Sequence, residues 1–480
     1  MESKSEGWRK YFLIIITVAF VLRATLSVII ILSFPGDKFD NYVDTRGYML
    51  LAKNLLEGHG FSGSTSPPYA PDNFRTPGFP LVLALVYWLF DFQIAPFFFL
   101  NSLISAITCG MAFLILRRYL DQRVALLGGL LLAFDVDSIM YANFILTETL
   151  YTFVLIVAAY FFFEYLRTNR LWQLMASSIF LALNVYVRPA GIYTAAIVFI
   201  GMGIYCRFRA PFRWQRAALA LVVFAALLAP WYLRNALQVG RFEISSISMS
   251  KALRYSTRVF ITKEAQERGV TIREQLKDEL YVDTNVKEWL AKNPDFELSG
   301  DGMPVSDIRQ YEFLKLVTPR TKKLLWQNWK QVAFTHIYSS LGALFSTDWW
   351  GFNANILHTR LDMGHDVRST LFWMVAGDFN KTLKAFFQHR GSTIMLLSFS
   401  WTILNYLFAL WGFIYLWKGG RREVALVILL IAGYHVFICG VDALARYRVP
   451  ILPYTMGLSA IGMWRLFKPQ NKRILLPVEV

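Results

Sequence analysis

A chain of 480 residues that is 55% hydrophobic and only 17% charged carries more apolar surface than a soluble domain of this size buries, which excludes an ordinary water-soluble enzyme. Lys and Arg exceed Asp and Glu by 49 to 33, an excess that nucleic acid, anionic lipid or membrane orientation would each explain. Position decides among them: Arg9-Lys10, Arg117-Arg118, 207–216, 418–422 and 468–473 abut apolar runs in the positive-inside pattern, so no nucleic-acid partner is needed.

The apolar runs approach the roughly 17–25 residues of a spanning helix and lack the short alternation of a membrane barrel. The first, 11–34, is too long for a signal-peptide core, holds Arg23 near its middle and precedes no small-residue cleavage site, which predicts a retained helix. Further spans are predicted at 96–116, 124–141, 149–165, 171–187, 192–206, 217–233, 393–417, 424–441 and 451–466, about ten crossings in all. With Arg9-Lys10 cytoplasmic, every later basic cluster is cytoplasmic only if the apolar stretch 78–92 does not cross. That stretch is short, and Pro77 and Pro80 suit a helix start at the outer surface.

The expected fold class is therefore an all-α membrane protein, a multi-spanning bundle with external juxtamembrane helices and an external loop subdomain. Residues 1–233 form the membrane module, with a first external loop at 35–95. Residues 234–392 form the external subdomain, polar over 263–307 and amphipathic over 324–345, and 393–480 hold the last spans. Both termini face the cytoplasm, across the cytoplasmic membrane of a bacterium or the endoplasmic reticulum of a eukaryote. No internal repeat of the transporter kind is visible. Cys109, Cys206 and Cys439 fall in or beside apolar runs, as buried thiols rather than disulfide or zinc ligands.

Four polar sites stand at the external ends of these helices. In the first loop, Tyr48, Leu51, Ala52 and Leu55 recur at helical spacing after Asp44, which suits either a general base or a helix-capping Asp. Glu148 stands at the entry of a span, as an active acid or a solvated end. Arg188-Pro189-Ala190-Gly191 is a tight external turn whose arginine owes nothing to the orientation rule and suits a phosphate or a carboxylate partner. Arg446-Tyr447-Arg448 before the last span suits bidentate phosphate binding, or structural pairing with Asp442 or Glu148. Arg23 would snorkel or face a polar cavity, and Asp135 and Asp137 would be solvated or paired with one of the arginines. His358, Asp362, His365 and Asp366 match no zinc spacing, so no metal is assigned, and help from a divalent cation is left open.

The ordered set Asp44, Tyr48, Ala52 and Gly58-His59-Gly60-Phe61; Arg75-Thr76-Pro77-Gly78-Phe79-Pro80; Leu146-Thr147-Glu148; Arg188-Pro189; Pro230-Trp231-Tyr232-Leu233-Arg234-Asn235; and Ala445-Arg446-Tyr447-Arg448-Val449-Pro450 resembles the GT-C superfamily of polyprenyl-phosphate-sugar-dependent glycosyltransferases. The likeness is to the bacterial branch related to protein O-mannosyltransferases and the aminoarabinose transferase of lipid A. It implies that Asp44 matches the essential first-loop acid, that Glu148 matches a second active-site acid, and that a non-crossing helix follows the first loop. Arg75, Arg188, Arg446 and Arg448 become candidates for the carrier phosphate, with Tyr48 and Tyr447 supporting. Thr45 stands where many relatives have a second acid, and Pro77-Gly78 replaces a double proline.

The implied reaction moves a sugar from a polyprenyl phosphate to an acceptor lipid, glycan or protein on the external face. Rivals are a transporter or flippase of lipid-linked sugar, a scaffold subunit of an envelope assembly, and an acyl or phosphoryl transferase. The transporter requires ionisable residues deep in several spans, and the acyl or phosphoryl transferase a histidine beside an acid at the external face.

Overall fold

Apolar helices satisfy their own backbone hydrogen bonds, which hydrocarbon cannot do for them, and every regular element among the described residues is helical. The computed structural model describes residues 7–33, 43–209, 214–247, 249–253, 284–294, 310–345, 380, 392–440 and 445–467. The helices are α1 (Gly7–Ser33), α2 (Val43–Leu56), α3 (Gly78–Leu89), α4 (Ala95–Tyr119), α5 (Gln122–Ala133), α6 (Val136–Tyr141), α7 (Glu148–Thr168), α8 (Leu171–Val187), α9 (Gly191–Arg209) and α10 (Trp214–Val239). There follow α11 (Thr284–Lys292), α12 (Gln310–Gln327), α13 (Trp329–Phe345), α14 (Ser392–Lys418) and α15 (Arg422–Ile438), then two 3-10 turns (Ala445–Tyr447 and Val449–Ile451) and α16 (Leu452–Phe467).

Five helices, Gly7–Leu32, Ala95–Tyr119, Glu148–Thr168, Trp214–Val239 and Ser398–Lys418, are long and apolar enough to cross a membrane, and five shorter apolar helices accompany them. The protein is an integral, multi-pass membrane protein. Large apolar side chains such as Leu13, Leu32, Leu221, Leu407 and Trp411 stand exposed on it, as lipid-facing residues do. Helix α3 has 12 residues, which rise only about 18 Å against hydrocarbon about 30 Å thick, too short to cross. The bundle is knit by α1 on α4, α4 on α5 and α7, α7 on α8, α8 on α9 and α10, and α5 and α14 on α16. At the α14–α16 crossing Gly412 and Gly462 each face the opposite backbone so closely that a β-carbon on either would collide with Leu458 O or Phe408 O.

The predicted span 124–141 is not continuous. Helix α5 stops at Ala133, and Asp135 caps the separate α6 by accepting from the Ser138 amide at 2.8 Å. Arg23, wholly buried, fills the break instead of snorkelling. It donates to Ala133 O (3.0 Å) and Leu132 O (3.4 Å), carbonyls at the C-terminal end of α5, and to Ser105 Oγ (2.7 Å), Ser138 Oγ (2.8 Å) and Ala19 O (3.0 Å). A mid-bundle arginine is tolerable because its donors are engaged and the broken helix needs them.

Beyond α6 the chain runs buried without regular structure to Thr147, and neighbouring side chains satisfy its carbonyls. Asn101 donates to Ala142 O (2.9 Å), Thr45 to Ile145 O (3.1 Å) and Thr149 to Tyr141 O (2.9 Å). This braced segment delivers Glu148 to the first turn of α7.

Candidate functional site

Glu148 has no solvent exposure, an expensive place for a carboxylate unless cations meet it. Two do: Arg188 Nη1 donates to Oε1 at 2.7 Å, and Arg446 Nε lies 3.1 Å from the same oxygen. Arg446 then reaches outward, its Nη1 donating to Asp44 Oδ2 at 3.0 Å, while Arg75 Nη2 stands 3.5 Å from Asp44 Oδ1. Charges therefore alternate in the order Arg188, Glu148, Arg446, Asp44, Arg75, with Asp44 the most exposed of them. Burial works against the Arg446 charge, but Glu148 and Asp44 outweigh it and hold the guanidinium pKa well above its ordinary value. Arg188 is likewise raised, with Glu148 overcoming the penalty of burial.

Local sequence explains how four distant segments meet. The Arg75 guanidinium lies against Gly47, one turn after Asp44, where a β-carbon would collide with it and force the arginine to shift. Gly78 lets the start of α3 press on the end of α8, where an added β-carbon would lie 2.7 Å from Tyr186 O; this brings Arg75 and Arg188 to one cavity. The Pro77-Gly78 departure from a double proline thus has a steric reason. Asp72 accepts from the amides of Phe74 (2.8 Å) and Arg75 (3.1 Å), and Arg234 clamps the loop by donating to Asp72 O (2.6 Å) and stacking on Phe61 and Trp231.

The line of charges borders a cavity of about 420 Å³. Asp44, Tyr48, Arg75, Arg188, Arg446 and Tyr447, all singled out from sequence, line it. The Tyr447 ring lies within cation–π range of Arg188 (5.2 Å), Arg446 (5.6 Å) and Lys251 (5.3 Å), and the Tyr48 ring carries Arg75 at 5.1 Å. The Tyr48 hydroxyl pKa is pushed up by burial and then by Asp44. Glu148 lies beneath the wall as the shared anchor of two arginines.

Arg448 corrects the expectation of phosphate binding. It is 2% exposed, lies outside the cavity lining, and pairs with buried Asp137 and the Leu344 carbonyl. Two residues from Arg446, it enters a separate sealed pocket because the 3-10 turns rotate successive side chains apart. Asp442, His358, Asp362, His365 and Asp366 lie outside the described residues.

Among the lining residues that went unnoticed in the sequence are Tyr151, Glu243, Lys251 and His435. Tyr151 OH lies 2.8 Å from Thr194 Oγ1 and 3.3 Å from His435 Nε2, while His435 Nδ1 meets Ile431 O at 2.9 Å. The histidine thus faces a tyrosine and a carbonyl rather than the acid that an acyl or phosphoryl transferase requires. Two signals were available: Tyr151 sits three residues after Glu148 on one helix face, and a histidine near the end of an apolar helix is itself uncommon. Nothing local distinguished Glu243 or Lys251.

Residues 74–232 match the family model described as Dolichyl-phosphate-mannose-protein mannosyltransferase, and this bears out the GT-C resemblance. The solved archaeal oligosaccharyltransferase AglB from Archaeoglobus fulgidus, in complex with an inhibitory peptide and a dolichol-phosphate, is similar at 15% identity and a TM-score of 0.49, over 97% of this chain and 51% of that one. The chain thus spans about half the length of that relative. ArnT from Cupriavidus metallidurans is similar in the apo state (14% identity, TM-score 0.40) and bound to undecaprenyl phosphate (15%, 0.41), each over 92% of this chain and 77% of that one. No curated protein matches the chain in sequence.

Proposed function

We propose that the protein transfers a sugar from a polyprenyl-phosphate donor to an acceptor hydroxyl at the external face of the membrane. The observation that carries this reading is a single cavity bordered by a partly exposed carboxylate, Asp44, and by three arginines, Arg75, Arg188 and Arg446. Glycosyl transfer from a phosphodiester requires that pair of features. Anionic charge grows on the departing phosphate oxygen while the attacking hydroxyl loses a proton.

In this reading the arginines receive the donor phosphate. A phosphate that takes the Arg446 contact releases Asp44 Oδ2 to accept the acceptor O–H. The acceptor oxygen then attacks the anomeric carbon, the bond to the phosphate oxygen breaks with its electron pair, and the arginines meet the charge; one displacement inverts the anomeric centre. Glu148 acts as a positioning residue: it touches no solvent and fixes Arg188 and Arg446 at their common point. The family match at residues 74–232 supports a lipid-linked donor. The donor side of the reaction, and the three regions 1–233, 234–392 and 393–480, belong to the same proposal, with both termini cytoplasmic.

The test uses purified protein in lipid discs with a panel of labelled polyprenyl-phosphate sugars and an envelope extract as acceptor. Wild-type transfer that disappears in well-folded Asp44→Ala supports the assignment. Transfer retained by both Asp44→Ala and Glu148→Ala refutes it, and labelled lipid changing leaflets without transfer points to a flippase.

A further inference from the structure

After Gly240, whose φ of 73° turns the chain out of α10, residues 241–246 run along the cavity as a strap without regular structure. Its backbone is held on both sides. Asn235 Nδ2 donates to Glu243 O (2.8 Å), Trp231 Nε1 to Ile244 O (3.0 Å), and the Ser246 amide to Asn73 O (3.0 Å), while Ser245 Oγ donates to Phe74 O (2.5 Å). The strap is fixed to the first loop two residues before Arg75, and it presents one carboxylate to the cavity. Glu243 Oε1 accepts from Asn73 Nδ2 at 3.1 Å, and no other described residue donates to this carboxylate. Beside it stand the Tyr232 and Phe242 rings, 5.0 Å apart, which also line the cavity. Burial raises the Glu243 pKa and Arg241 opposes the rise, as for a carboxylate partly withdrawn from water.

A carboxylate held rigidly beside aromatic faces is a recognition element for a polyhydroxylated ring. The anion accepts hydroxyl hydrogen bonds and the aromatic faces take the apolar C–H faces. Asn73 and Arg75 are two residues apart in one turn, and Glu243 and Arg75 line the same cavity, so Glu243 lies near the phosphate-binding side without belonging to it. From this we infer that Glu243 is a specificity-determining residue that accepts hydrogen bonds from the hydroxyls of the transferred sugar. The inference rests on the transfer reading above.

The test measures binding to the full chain in lipid discs of four probes: bare undecaprenyl phosphate and its mannosyl, glucosyl and aminopentosyl phosphodiesters. Glu243→Gln keeps an oxygen for Asn73, so thermal stability is expected to stay at the wild-type value. The wild type binds at least one glycosylated lipid more tightly than the bare one. Loss of a charge-assisted hydrogen bond in Glu243→Gln weakens that lipid roughly tenfold and leaves bare-lipid affinity unchanged. Unchanged donor binding with a tenfold higher KM for the acceptor overturns the inference, because the hydroxyls recognised then belong to the acceptor and not to the transferred sugar. Wild-type values for all the lipids and for acceptor KM overturn the inference while leaving the transfer reading intact. Failure of the wild type to bind any of the lipids overturns both.

Discussion

Arg446 and Arg448 are separated by one tyrosine, yet they serve two regions of opposite character. Arg446 belongs to the open line of charges, 18% exposed and shared between Glu148 and Asp44. Arg448 belongs to a sealed pocket with Asp137, whose side chain is only 4% exposed. An ion pair that water or a ligand can reach is exchangeable, because an incoming anion replaces one carboxylate on the arginine without leaving a bare charge. A pair sealed from water has no such exchange, and removing one partner strands the other. In the proposed reaction the first region changes partners, whereas the second stays closed.

The largest expected break in this comparison is at the open region's acid. Asp44→Asn keeps the shape and removes the proposed base, so transfer is expected to fall roughly 10²–10⁴-fold, measured as kcat with labelled donor, while thermal stability stays near wild type. Next, Arg448→Ala is expected to destabilise the protein by about 3–5 kcal/mol by stranding Asp137, read as a lower unfolding midpoint in detergent. Arg448→Met with Asp137→Leu recovers most of that loss, and no recovery would remove the sealed region from the contrast. Gly47→Ala displaces the Arg75 guanidinium from Asp44. It raises donor KM roughly tenfold, the scale of one charge-assisted hydrogen bond, with a smaller effect on the unfolding midpoint.

The smallest effect concerns pH. Tyr48 is pushed up by burial, so its hydroxyl stays protonated across the working range, and Tyr48→Phe leaves the alkaline limb of the activity profile where it was. Arg446 behaves alike for its own reason. Its folded-state pKa is raised, so the stability it contributes is complete below the ordinary arginine range and is lost only above that range. An alkaline limb near neutrality that moved with Tyr48→Phe would contradict this account.

Much of the open site was legible before any coordinates. Arginines at the wrong end for orientation, an acid in the first loop and an acid at a helix entry are anomalies that charge rules expose residue by residue. Arg448 shows the limit, because its position on the chain is as anomalous as that of Arg446 while its partner, Asp137, is more than 300 residues away. The break in 124–141 was equally hidden: its apolar pattern reads as one span, and the groups that meet at the break are Asp135, which caps a new helix, and Arg23 of α1, which donates to the carbonyls of Leu132 and Ala133. Glu243 has no local mark at all, since only the anchoring of its strap to the first loop brings it to the cavity.

By itself the sequence determined the helical membrane class, the short apolar helix after the first loop and the residue types gathered around one cavity. Each follows from transfer free energy and length, which are summed along the chain. Only the tertiary structure decided which arginine faces a cavity and which a buried aspartate, because that choice depends on the close approaches that Gly47 and Gly78 permit and on partners brought together from distant helices.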